Sequence, residues 1–105
     1  MIAHVLSRAD VEASFTSART EILGLGVRRL ALFGSVQRDA TRADSDVDVL
    51  VEFQPGQKTY DRFLALGDLL ERALNRRIEL VTPESLSPFL KRHVLAEAVD
   101  VVRAA

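Results

Sequence analysis

The run Asp46 to Phe53 constrains the fold more than any other stretch of this chain. Val47, Val49, Val51 and Phe53 alternate with Asp46, Asp48, Leu50 and Glu52. A period of two marks a strand with its apolar residues on one face. Aspartate is disfavoured inside strands, and two at i, i+2 repel each other unless a cation lies between them. Ten residues separate Asp46 from Gly34-Ser35, which directly follows the apolar run Arg28 to Phe33. A small-residue turn thus closes one strand, and two carboxylates open the next. Antiparallel pairing puts those ends side by side, whereas parallel pairing would place them at opposite ends of the sheet.

Outside this core, the pattern supplies helices. Val11, Phe15, Ala18, Ile22 and Leu25 recur at helical spacing, so one amphipathic helix is expected over residues 8 to 24. Ser7 is placed to cap it and Gly26 to end it. A short helix is expected from Ser35 to Ala40, then a polar turn through Ser45. Gln54-Pro55-Gly56-Gln57 signals a turn. Phe63, Leu66, Leu70 and Ala73 predict a second amphipathic helix over 60 to 74, with Asn75 as a left-handed cap. Arg77 to Val81 reads as a third strand. Ser87-Pro88 has the form of a helix N-cap followed by proline, for a helix to about Glu97. Val99 to Val102 adds a short edge strand. The expectation is an α/β (α+β) domain: a small mixed sheet with helices packed on one face.

The 105 residues suffice for one small domain, taken as residues 1 to 105. Net charge is −1 with the signs interspersed, which argues against direct nucleic-acid binding, since that shows as a basic patch. The absence of cysteine excludes disulfides and thiolate metal sites. No apolar run reaches membrane-spanning length, and Arg8 and Asp10 break the apolar N-terminus early. A cytoplasmic location without membrane association is expected. Oligomeric state stays open between homo- and hetero-oligomer.

The chemistry follows from residue types. Asp46 and Asp48 share a strand face with Cα atoms roughly 6.5 Å apart, close enough to share one magnesium ion or bridge two. Magnesium takes one or two carboxylates and keeps its other positions for water and phosphate. Gly34 lets the backbone approach a phosphate closely, and the Ser35 hydroxyl and nearby N–H groups suit phosphate oxygens. A nucleoside triphosphate fits this arrangement. Arg38 reads first as a solvated helix arginine and second as a phosphate contact. Glu79 reads equally as a third carboxylate, binding metal or taking a proton, and as a plain surface residue. Tyr60 and His93 read as packing residues.

Gly34-Ser35, ten residues, and Asp46-Val47-Asp48 resemble the signature of the DNA polymerase β-like nucleotidyltransferase superfamily. The flanks Val49-Leu50-Val51-Glu52-Phe53, Leu69 to Arg77, Ile78-Glu79-Leu80-Val81-Thr82-Pro83 and Leu86-Ser87-Pro88 are similar to its minimal, MNT antitoxin-like group. That resemblance implies the polymerase β-like fold, with catalytic and metal-binding Asp46, Asp48 and Glu79 and nucleotide-binding Gly34, Ser35 and Arg38. It also implies magnesium, as two ions, and ATP as substrate. The implied reaction moves AMP to a hydroxyl, a tyrosine, on a partner: a HEPN-domain RNase toxin held in check by this antitoxin. Glu79 stands where the group carries aspartate; Asp39 and Asn75 stand where it often carries glycine. Two alternatives stay open. One is an inactive scaffold that masks its toxin by binding. The other is transfer to a small molecule, disfavoured because the chain has no residues left for an acceptor domain.

Overall fold

Ser7 starts the first helix as expected. Its hydroxyl accepts the Asp10 N–H at 3.1 Å, and the Asp10 carboxylate accepts the Ser7 N–H at 3.0 Å, a reciprocal cap. The computed structural model describes residues 6–38 and 46–104. The expected turn through Ser45, the end of the short helix at Ala40, Asp39 and the N-terminal His4 lie outside these residues.

Helix α1 (Arg8–Ser17) gives way at Ala18 to α2 (Arg19–Gly24), so the single helix expected over 8 to 24 is two. The Ser17 hydroxyl donates to the Ala13 carbonyl at 3.0 Å, in a stretch rich in Ser14, Thr16 and Ser17. Such hydroxyls compete with the helical backbone bonds. The apolar stripe survives the break: Val11, Phe15, Ala18 and Ile22 are all buried. Gly26, at φ +84°, turns the chain into β1 (Val27–Phe33). Then come α3 (Gly34–Gln37), β2 (Val47–Phe53), α4 (Tyr60–Leu74), β3 (Ile78–Val81), α5 (Pro88–Glu97) and β4 (Val99–Arg103). A 3-10 turn at Pro83–Ser85, not anticipated, links β3 to α5. Asn75 closes α4 in the left-handed conformation at φ 54°, and Ser87 caps α5 through the Leu90 N–H.

The sheet runs β3-β2-β1-β4 and is mixed. β1 pairs antiparallel with both β2 and β4, and β2 pairs parallel with β3. The antiparallel β1–β2 pairing is the one the motif required, and β4 is the edge strand expected. Helices α1, α2 and α4 cover one face over Leu30, Leu32, Val47, Val49, Val51 and Val102. Alternate residues point the other way. There Ala31, Leu50 and Val94 form a smaller cluster with Phe33, Val81 and Leu86. The main helical layer therefore lies on one face, and α5 covers part of the other. Asp48 follows the parity of Leu50, and Glu79 that of Val81, so both belong to the thinly covered face. No described helix is long and apolar enough to cross a membrane.

Candidate active site

The site forms where β1 ends. Phe33 lies opposite Asp48 in the antiparallel register, and Asp48 lies opposite Glu79 in the parallel one. Three successive strands thus bring the turn after β1, the second aspartate and the third carboxylate into one row. Gly34 sits at φ +71°, a conformation that side chains disfavour. Close approach adds a second reason for glycine. A Cβ at this position would stand 2.1 Å from Asp48 Oδ2, so only a bare Cα lets the turn press against the carboxylate.

Asp48 is partly buried and carries the one pronounced carboxylate shift among the described residues. Its pKa is pushed up to about 6, first by burial, then by the charge and hydrogen bond of Glu79, then by the charges of Asp46 and Glu97. Carboxylates sharing a hydrogen bond need a proton or a cation between them. Asp46 immediately precedes β2, and its Oδ1 lies 3.7 Å from Arg77 Nε. The Val47 N–H binds the Arg77 carbonyl at 2.9 Å, which fixes the start of β2 beside β3. Among the described residues, no three acidic or histidine side chains form a ready-made metal cage. The contacting pair is Asp48 and Glu79, with Asp46 alongside.

Ser35 is half-buried in the first turn of α3. Arg38, the α3 C-cap, is ion-paired with Glu97. Glu97 was missed by sequence reasoning: it belongs to no motif, and only the packing of α5 brings it here. Its Oε1 also accepts the Gly34 N–H at 2.9 Å. Two packing expectations fail. Tyr60 is 76% exposed at the first position of α4, where it lines a pocket of about 410 Å³ with Phe63 and Thr82. His93 is exposed on α5 and meets the Phe89 ring edge-on at 4.5 Å. An open groove of about 440 Å³ between α4 and the edge strand β3 reaches Glu79.

Chemically, this is an all-oxygen acidic cluster beside a glycine-serine turn, the donor set preferred by a hard divalent cation. A model of the nucleotidyltransferase domain family matches residues 16–101. Protein adenylyltransferase MntA of Thermococcus cleftensis is 35% identical over 98 residues, 92% of this chain and 98% of that one. A solved structure of a proposed minimal nucleotidyltransferase superposes with a TM-score of 0.79 at 33% identity, covering 90% of this chain and 95% of the other. An MNT antitoxin crystallised with a tri-AMPylated HEPN toxin of Shewanella oneidensis shares the fold, at a TM-score of 0.65 and 18% identity. It covers 92% of this chain and 73% of that one.

Proposed function

Because this chain belongs to the nucleotidyltransferase domain family, we propose that it transfers AMP from ATP to a tyrosine hydroxyl of a partner protein. The partner in this reading is a HEPN-type RNase toxin, and the transfer makes the chain its antitoxin. The observation that carries the proposal is the packing of Gly34 against Asp48, with Glu79 opposite Asp48 in the sheet. A turn suited to phosphates is thereby held in contact with carboxylates suited to a cation.

The residues have separate tasks. Gly34 and Ser35 receive the phosphates, and Arg38 adds positive charge at the end of the same short helix. Asp46 and Asp48 are placed to hold magnesium, with Glu79 as a further ligand or as the group that takes the acceptor proton. Burial first, and then the neighbouring Glu79, Asp46 and Glu97, raise the Asp48 pKa, and a divalent cation held here would offset the repulsion among these carboxylates. Bound magnesium would neutralise triphosphate charge and stabilise the attacking and leaving oxygens. The acceptor oxygen forms its bond to the α-phosphorus as the bond to the β-phosphate bridge breaks, and pyrophosphate leaves. Glu79 is exposed on edge strand β3, so a hydroxyl carried on another macromolecule has open access. The relatives' names and the AMPylated toxin in the neighbouring complex support this acceptor class.

The test is transfer of α-phosphate-labelled ATP, with magnesium, to the protein encoded next to this one. Label on the partner with wild type, and none with Asp46→Asn/Asp48→Asn, is the expected result. Unlabelled partner that is still neutralised would instead make the chain a binding antitoxin on an inactive scaffold. Label on a small-molecule drug without any partner would shift the acceptor class.

A further inference from the structure

Glu97 has no task in the reaction as described, yet it touches both ends of α3. Its Oε1 accepts the Gly34 N–H and the Arg38 guanidinium. Gly34 is the first residue of α3, and Arg38 is its C-cap. A helix of four residues cannot hold its own shape, because fixing one turn costs more backbone freedom than its few hydrogen bonds return. Its position must come from its neighbours. Asp48 supplies one side, since the Gly34 Cα presses against its carboxylate. Glu97 supplies the other side, from the last turn of α5. The Gly34 N–H is thereby occupied by the protein itself, and its direction is set before any ligand arrives.

We propose that Glu97 is a positioning residue for the nucleotide turn, clamping Gly34-Ser35 between α5 and Asp48 through the Gly34 N–H and Arg38. This rests on the reading of Gly34-Ser35 as the phosphate-binding turn. The clamp links α5, which packs on the site face of the sheet, to the chemistry. Pro88 and the Ser87 cap fix the start of α5, Val94 anchors its middle against Ala31 and Leu50, and Glu97 delivers the result at its end. An acceptor oxygen is what the Gly34 N–H requires; the charge serves Arg38.

Three variants separate these roles: Glu97→Gln keeps the acceptor oxygen, Glu97→Asp withdraws it by one methylene, and Glu97→Ala removes it. Amide exchange at Gly34 and Ser35, read by NMR in the nucleotide-free protein, should accelerate about tenfold in Glu97→Ala, as for loss of one charge-assisted hydrogen bond. KM for ATP should rise by about the same factor, with kcat much less affected. Glu97→Gln should stay within about threefold of wild type in both readouts. The melting temperature of Glu97→Ala should fall by no more than the several degrees expected for one lost hydrogen bond, and that of Glu97→Gln should stay near wild type. Unchanged exchange and KM in Glu97→Ala would overturn the proposal. So would tighter ATP binding by that variant, which would make Glu97 a competitor for the phosphate site. If Glu97→Ala fails to fold, Glu97→Asp carries the same comparison. A wild type that neither binds nor transfers ATP, with exchange still accelerated in Glu97→Ala, would sink the nucleotide reading and leave the clamp. An active wild type matched by Glu97→Ala would sink the clamp alone.

Discussion

At Gly34 two independent demands fall on one residue: a left-handed backbone and the absence of a Cβ. Gly34→Ala should therefore cost about 1–3 kcal/mol in stability from backbone strain alone, measurable by denaturant unfolding. It should also reduce AMP transfer by more than the Ser35→Ala change, because it pushes the Asp48 carboxylate away. Asp48 gives a pH signature. Its folded-state pKa, about 6, lies above the ordinary 3.8, so the folded state holds the proton more tightly than the unfolded chain. That contribution to stability is present at low pH and is lost as pH rises from about 4 through 6. The metal-free protein should melt at progressively lower temperature across this window, and magnesium should reverse the loss near pH 7. Asp48→Asn should flatten the pH dependence, and melts with and without magnesium decide the matter.

Single elements are held by a few local devices and one buried stripe. Asn75 ends α4 at φ 54° and ψ 40°, where Asn is tolerated and alanine is not, so Asn75→Ala should cost about 1 kcal/mol and Asn75→Gly should be neutral or stabilising. Leu66 and Leu70 on α4 are completely buried. Leu66→Ala should cost about 2–5 kcal/mol, the usual range for a leucine cavity, read from the shift of the urea midpoint. The same substitution at Leu64, which is 51% exposed on that helix, should change stability far less.

Across the whole molecule, the two faces of the sheet divide the work. Helices α1, α2 and α4 bury the larger apolar cluster, while the opposite face carries Asp48, Leu50 and Glu52 in succession along β2. Asp48 belongs to the site. Glu52, at the far end, joins an ion-pair network with Arg28, Arg29, Asp100 and Arg103. Burial alone would raise the Glu52 and Asp100 carboxyls, but hydrogen bonds from Arg29, with Arg28 at Glu52 and Arg103 at Asp100, outweigh it and hold both below the usual range. Their contribution is present above the ordinary carboxylate pKa and is lost as pH falls through their lowered values. Asp46→Asn/Asp48→Asn should leave this network and the main core intact, so circular dichroism and the melt should show a folded protein even where transfer is abolished.

Much of this was legible along the chain because it is local. Alternation fixed β2, helical spacing fixed α4, and Ser7, Asn75 and Ser87 announced helix ends through their own side-chain and backbone chemistry. The requirement that Gly34 meet the aspartates was enough to set the antiparallel pairing of β1 and β2. The break at Ala18 was hidden because the apolar stripe runs through it unchanged. Tyr60 and His93 were misjudged because helical spacing alone does not say how much of a helix its neighbours cover. The sequence by itself determined which residues carry the carboxylates and the small-residue turn on which the proposed function rests. Only the tertiary structure decided that Glu79 faces Asp48, that a Cβ at Gly34 would strike that carboxylate, and that Glu97 reaches the turn. Those contacts join positions far apart in the chain, and they exist only once the strands and α5 have packed.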